Sequence, residues 1–343
     1  MKMVLCVKTP LKNAQQVKQF LVENGLFDYS YRFRRTKTHI FFPVSKKTGI
    51  KKQFRFTEFT DIKLQEARKK ETFKQVITKK LSKAELVTLR RAFDIIGTIA
   101  IVEIPDELVK KEKLLAETLL ALQKNVKTVL KKAGIHGTEF RTQPMKYLAG
   151  EKTKETISKE QGVRLKLNVE KVYFSPRLST ERKRIASQVK PGEDVLVMFS
   201  GCAPYPCVIA RTTKAGHITG IEINPAGHRY GEENIKLNKI DNIKLYNADV
   251  RKAVPKLKKR FDRIVMPLPK SAGDFLETAF KAAKRGTTIH FYAFEEQGHF
   301  KDAVARVKTA CKKNGLRCRI LRTVKCGQHA PRTFRICVDF RII

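Results

Sequence analysis

From residue 171 to the end, short apolar runs alternate with helical patterns, and this alternation constrains the fold more than any other feature of the 343-residue chain. The runs fall at 195–199, 218–222, 243–247, 262–266 and 287–293, with two more at 317–324 and 333–341. Helical spacing fills 179–188, 225–239, 271–284 and 297–314. Apolar strands separated by helices predict an α/β architecture with a mostly parallel sheet wrapped on both faces. The last two runs face each other across Cys326-Gly-Gln-His-Ala-Pro331 and predict an antiparallel hairpin at one edge.

In such a sheet ligands sit beyond the carboxyl ends of the strands. Asp194-Val-Leu-Val-Met-Phe199 runs into Ser200-Gly-Cys-Ala-Pro204, where Gly201 lets the backbone approach a ligand and Phe199 and Cys202 flank it. Glu222 ends the second run, ahead of Ile223, and a carboxylate there accepts two hydrogen bonds from ribose hydroxyls. It also reads as an acid at the start of a helix opening at Pro225. Asp249 ends the third region, beside Val250, and is placed to meet an adenine amino group; it also fits a helix cap. The prolines of Met266-Pro-Leu-Pro-Lys270 cannot continue a central strand, so Pro267 belongs to a rigid lip at the reacting groups. A glycine loop after one buried strand and an acid closing the next hold a nucleoside, and the spacing suits S-adenosylmethionine.

Two smaller α+β segments are expected upstream, at 1–60 and 61–170, ahead of the domain at 171–343. In the first, Val4–Val7 and His39–Phe42 read as strands. A helix after Pro10 carries Val17, Phe20 and Leu21 on one face and stops at Gly25. In the second, Phe93–Ile104 reads as a strand pair broken at Gly97, and 107–132 as one long helix with a stripe of Leu115, Leu119, Leu122, Val126 and Val129. Lys152–Lys159 reads as a loop, and Val163–Val169 as a half-exposed strand.

Lys and Arg total 72 against 33 Asp and Glu, a formal net charge of +39. A solvated thermophile-like surface would balance Lys with Glu; this excess predicts a phosphate-rich partner. Basic residues crowd the His39–Phe42 strand, among them Arg34 and Arg35, as RNA contacts or as a plain solvated face. The seven cysteines form no Cys-x-x-Cys pair and read as free thiols. No sign of a metal requirement is present. No apolar run approaches the ~18 residues of a membrane helix, and Met1–Cys6 has no signal-peptide anatomy, so a cytoplasmic protein is expected, as a monomer.

Together these residues resemble the archaeal and eukaryotic-type tRNA (guanine-37 N1)-methyltransferase family. The resemblance covers essentially the whole chain. It is most specific at Phe174-Ser-Pro-Arg-Leu-Ser-Thr-Glu-Arg182, Glu222-Ile-Asn-Pro225, Glu233-Asn-Ile-Lys-Leu-Asn238, Leu268-Pro-Lys270 and Ile289-His290, with Gly137-Thr-Glu-Phe-Arg-Thr142 matching upstream. It implies a class I, Rossmann-like, S-adenosylmethionine-dependent methyltransferase domain with a seven-stranded sheet, behind two smaller RNA-binding domains, and tRNA as substrate. It implies Glu181 as general base and Arg141 as the cation that stabilises O6 of a flipped guanine. Arg177, Arg182 and Lys270 would then contact RNA. From the residues alone, Glu181 also fits a first-turn helix acid near Ser179 or Thr180.

The chain departs from the family pattern at Val197, where an Asp is expected, at Cys202 and Ala203 in place of glycines, and at Pro267 in place of an Asn. A related branch transfers the aminocarboxypropyl arm of the same cofactor; Glu222 does not discriminate, while Leu268-Pro-Lys270 favours methyl transfer. Methylation of another RNA position and a non-catalytic RNA-binding relative are further readings. His290 reads as a packed, hydrogen-bonded histidine, and His329 has no assigned role.

Overall fold

The structure is a computed structural model and describes residues 1–47, 49–67, 72–89, 93–134 and 140–343. The chain divides into two units, Met1–Gln75 and Val76–Ile343. Of the matched string at 137–142, Gly137, Thr138 and Glu139 lie outside the described residues.

The first unit contains β1 (Lys2–Pro10), α1 (Ala14–Glu23), β2 (Arg34–Arg35), β3 (His39–Pro43), α2 (Ile50–Gln53) and β4 (Glu58–Leu64). The strands form an antiparallel sheet in the order β2-β3-β1-β4. Val17 and Leu21 of α1 are fully buried with Val7, Phe42 and Ile50. Gly25 ends the helical stretch at φ +64, a conformation that favours glycine. Arg34 and Arg35 stand exposed on the edge strand β2.

The chain passes into the second unit within α3 (Phe73–Thr78), followed by α4 (Lys83–Thr88), whose Ser82 and Glu85 make a reciprocal capping box. Next come β5 (Phe93–Ile96), β6 (Ile99–Val102), α5 (Glu112–Leu122), β7 (Thr128–Lys132) and β8 (Met145–Gly150), in the sheet order β5-β6-β7-β8. The expected helix over 107–132 is therefore corrected. Only Glu112–Leu122 is α-helical, and Val129 belongs to a strand running parallel to β6. A parallel pair needs a crossover, and α5 supplies it. Burying Val129 and Leu130 completely between β6 and β8 outweighs a helical spacing that Val126 and Val129 meet by coincidence.

The expected loop at Lys152–Lys159 is also corrected, because β9 (Glu155–Glu160) pairs with β10 (Val163–Asn168). Its inward residues are the small polar Thr156 and Ser158, which carry no hydrophobic signal. Thr156 Oγ1 accepts from Thr98 N at 2.9 Å. A Cβ at Gly97 would lie 2.2 Å from that oxygen, so the close approach requires glycine.

The remaining strands are β11 (Val195–Met198), β12 (Ile218–Glu222), β13 (Ile243–Asn247), β14 (Phe261–Met266), β15 (Ala283–Glu296), β16 (Cys318–Ala330) and β17 (Thr333–Ile342). The helices are α6 (Ser179–Ala186), α7 (Pro204–Thr212), α8 (Pro225–Leu237), α9 (Val250–Leu257), α10 (Leu276–Lys281) and α11 (Phe300–Lys313). One seven-stranded sheet results, in the order β13-β12-β11-β14-β15-β17-β16, parallel except for β17, which is antiparallel to both neighbours. The order reverses at β11, which leaves a crevice at the carboxyl ends of β11 and β14. The edge hairpin is present, but β16 runs on to Ala330 and the turn is only Pro331 and Arg332. Helices α7 and α9 escape periodicity because they are short and contain Pro204, Pro206 and Pro255.

The Glu233–Asn238 motif has a structural role. Asn234 Oδ1 accepts from Lys166 N and its Nδ2 donates to Lys166 O, while Asn238 makes the same pair of bonds with Arg164. One turn apart on α8, the two amides imitate a neighbouring strand and satisfy the open edge of β10.

Candidate cofactor and substrate site

A cavity of about 340 Å³ occupies the crevice at the carboxyl ends of β11, β12 and β14. Its floor is the loop after β11, which packs three left-handed residues into five positions, Phe199 at φ +60, Gly201 at φ +56 and Ala203 at φ +63. Such a backbone costs about 1–3 kcal/mol at each non-glycine residue and concentrates at functional sites. Phe199 and Gly201 line the cavity. Cys202 does not: it is fully buried in the core beneath the loop, and only its carbonyl is used, accepting from Asn234 Nδ2. Its expected cofactor contact is therefore corrected.

Glu222 curls under this loop. One carboxylate oxygen accepts from Gly201 N at 2.6 Å and the other from Asn224 N at 2.8 Å. Burial pushes the carboxyl above its ordinary range, while the backbone donors pull it down. A carboxylate has about four acceptor sites, so each oxygen keeps capacity for a ligand hydroxyl. A Cβ at Gly227 would stand 3.1 Å from Glu222 Cγ, so the space above the acid is kept clear. Asn224 caps α8 through Ala226 N and donates to Lys171 O, while Ile223 lines the cavity. Asn247 donates to the carbonyls of Glu222 and Ile223, joining β13 to this turn.

Asp249 both caps and lines. It accepts from Arg251 N at 2.8 Å at the start of α9 and reaches the cavity beside Val250. The Arg251 guanidinium beside it holds its carboxyl below the usual range. Pro267 and Leu268 form the lip, and Phe199 meets Phe275 edge-on across it at 4.9 Å.

Tyr173, Phe174 and Ser175 form the opposite wall and also line a second cavity of about 1170 Å³. Arg141 borders both cavities. Its backbone sits at φ +56. Burial lowers its pKa, and the nearby charge of Arg335 adds to that against the opposing phenol of Tyr173. Among the described residues no carboxylate pairs with it.

Glu181 lines neither cavity. It is 4% exposed and accepts from Arg184 Nε and Nη2 and from the Tyr292 hydroxyl at 2.5 Å. Cys326, a wall residue of the second cavity, donates its thiol to Val324 O; burial raises its pKa, and the nearby Glu181 charge adds to that. Arg182 is corrected as an RNA contact, because it is 2% exposed, paired with both oxygens of Glu160, and stacked on Phe174. Arg177 pairs with Asp94 at 2.7 Å on the wall of the second cavity, and Lys270 is exposed outside both cavities. Sequence reasoning missed Ser200, Tyr173 and Phe275 in the first cavity, and Phe294, His329 and Arg335 in the second. Of these Ser200, in the loop after β11, and Phe294, at the carboxyl end of β15, carried a positional signal.

The cavity fits S-adenosylmethionine. Its floor offers the Ser200 hydroxyl, buried without a hydrogen-bond partner, and its side offers Glu222 with spare acceptor capacity for a diol. Phe199, Ile223, Val250 and Pro267 supply apolar surface for a purine and a sulfonium-bearing chain. A doubly wound sheet with an antiparallel strand inserted next to its edge, carrying such a site at its switch point, defines a class I S-adenosylmethionine-dependent methyltransferase.

Three family descriptions match the chain: the TRM5/TYW2 methyltransferase domain at residues 156–321, the TYW2 N-terminal domain at 73–153, and the tRNA methyltransferase 5 N-terminal domain at 6–51. The chain is 36% identical over 342 residues to tRNA (guanine(37)-N(1))-methyltransferase Trm5b of Pyrococcus abyssi, covering 99% of each. The crystal structure of that enzyme superposes with a TM-score of 0.75 over 99% of both chains. A structure described as the complex of aTrm5 and tRNALeu gives a TM-score of 0.72 at 30% identity, covering 99% of this chain and 100% of that one. Pyrococcus horikoshii TYW2 in complex with MeSAdo gives 0.66 at 28% identity over 79% of this chain and 98% of that one. The protein belongs to the TRM5/TYW2 methyltransferase family. No helix among the described residues is long and apolar enough to cross a membrane.

Proposed function

We propose that this protein methylates N1 of guanosine 37 in tRNA, using S-adenosylmethionine. The full-length kinship with Trm5b methyltransferases supports the reaction class. The observation that carries the assignment to this site is Arg141, a guanidinium with no carboxylate partner among the described residues that borders both the cofactor-type cavity and the larger cavity beside it. A base entering the larger cavity would meet Arg141 and Tyr173 where the two spaces join.

The cofactor supplies a methyl group already activated on a sulfonium. The residues must make guanine N1 nucleophilic. N1 carries a proton at neutral pH, and as that proton leaves, negative charge grows on O6. Arg141 is assigned to that oxygen, where a partly buried guanidinium is worth more than in water. Glu181, buried near Cys326 of the second cavity's wall, is assigned the N1 proton. Glu222 is assigned the ribose hydroxyls, Asp249 the adenine edge, and the Phe199–Phe275 lip the exclusion of water. The segments 1–60 and 61–170 are assigned to gripping tRNA, with Arg34, Arg35, Arg177 and Lys270 as phosphate contacts.

The by-product tests the transferred group. With tRNA carrying G37, S-adenosylhomocysteine should accumulate in step with methylated RNA. Methylthioadenosine would instead show aminocarboxypropyl transfer, the reaction of the sister branch.

A further inference from the structure

The second cavity has more than three times the volume of the first, at about 1170 against 340 Å³. Part of its wall is unused by the chemistry above. Phe294 on β15, Arg335 on β17 and Gly327 on β16 lie in one cross-strand row. Directly opposite residues in a sheet share a face, and all three line the cavity. His329 stacks on Phe294 with centroids 3.9 Å apart and planes 18° from parallel. The Arg335 guanidinium lies 5.4 Å from the Phe294 ring centroid. A Cβ on Gly327 would touch nothing within 4 Å, so the row opens onto free space there.

Arg335 is charged but not neutralised. Nη2 donates to the Tyr173 hydroxyl at 3.2 Å, Nε is buried without a hydrogen-bond partner, and no carboxylate among the described residues pairs with the side chain. It is close enough to Arg141 to lower that residue's pKa. Asp94, Glu103 and Asp106 also line this cavity, but neither guanidinium is paired with a carboxylate among the described residues, so both are open to an anion from the ligand, and a ring pair beside them offers a stacking surface.

We propose that Arg335, Phe294 and His329 form a second nucleotide subsite, which receives the ribonucleotide next to the target base, stacks its base on the aromatic pair and holds the intervening phosphate on Arg335. Two adjacent nucleotides would then be read, one at Arg141 and Tyr173 and its neighbour at the β15–β17 wall. The inference rests on the tRNA-methyltransferase reading, and deepens it by assigning a determinant of sequence context.

The test is a double-mutant cycle on tRNA binding, read directly so that it scores the subsite whether or not a methyl group is transferred. Arg335→Gln is combined with tRNAs carrying an abasic residue at either neighbour of G37. Arg335→Gln is expected to weaken tRNA binding about tenfold and to flatten the log affinity–log salt slope by about 0.9, one released counterion. An abasic neighbour on one side should cost wild type about five- to tenfold, and the variant less than about twofold. S-adenosylmethionine affinity within about twofold of wild type would report an intact fold. Phe294→Leu gives the same cycle through stacking alone should Arg335→Gln fail to fold. Losses that multiply independently at both neighbours, or a variant that keeps wild-type tRNA affinity and salt slope, would overturn the subsite.

Discussion

Arg184 holds Glu181 through both carboxylate oxygens, at 2.7 Å from Nε and 2.7 Å from Nη2, and its Nη1 reaches Asp339 at 2.6 Å. The carboxylate assigned to the N1 proton is thus fixed from below by a guanidinium and capped by the Tyr292 hydroxyl. Such support holds a carboxylate in one orientation, and Glu181→Gln keeps its shape while removing its basicity. Turnover should fall about 10²- to 10⁴-fold with S-adenosylmethionine affinity unchanged. A parallel fall in both, with a large drop in melting temperature, would make Glu181 only a structural partner of Arg184.

Arg141→Lys keeps a charge but loses the planar fork. If Arg141 meets developing charge on O6, the rate of the chemical step should drop roughly 10²-fold, or about 2.7 kcal/mol, with less effect on tRNA binding. Single-turnover kinetics at saturating tRNA measure it. A change in binding alone would move Arg141 from chemistry to grip.

The raised pKa of Glu222 predicts a pH-dependent cofactor site. Hydroxyl donors need the ionised carboxylate, so affinity for S-adenosylmethionine should weaken as pH falls through the raised value. Titration calorimetry at several pH values checks the direction. Glu222→Gln should bind about tenfold more weakly at neutral pH and show a flat profile.

His290 makes stability depend on pH. Arg263 can only donate, so His290 Nε2 at 2.8 Å must accept, and Nδ1–H donates to Asp339 at 2.6 Å. The ring is therefore neutral, and burial lowers its pKa from the ordinary 6.5. Below the unfolded value the denatured chain takes up a proton that the native ring refuses. Stability should thus decline as pH falls from about 6.5, by up to ~1.4 kcal/mol per unit, until the folded value is reached. Burial pushes Asp339 up, but the His290 N–H and Arg184 pull harder and hold it ionised. Thermal melts of wild type and His290→Gln between pH 7 and 5 measure the contribution; equal slopes would contradict it.

Asn234→Ala removes both bonds that close the edge of β10 at Lys166 and one to Cys202 O. Leaving buried backbone groups unpaired should cost about 2–4 kcal/mol, seen as a lower midpoint in urea.

The strand and helix alternation after residue 171 was legible because the central parallel strands are mostly apolar and buried. The acids and glycines at their ends were legible because ligand chemistry confines such groups to those positions. Val129 was misread because one strand residue after a helix can keep helical phase, and β9 because Thr156 and Ser158 bury small hydroxyls in place of hydrocarbon. Arg182 looked like a phosphate ligand because sequence shows its charge but not Glu160, which comes to it from β9. The Phe294–Arg335–Gly327 row was invisible because cross-strand register is a property of the folded sheet.

Nucleoside mass spectrometry of G37-bearing tRNA incubated with the enzyme and S-adenosylmethionine tests the account most directly. It should show 1-methylguanosine at position 37, formed by the wild type and about 10²-fold more slowly by Arg141→Lys. No 1-methylguanosine on any such tRNA, or modification at a different base, would contradict it.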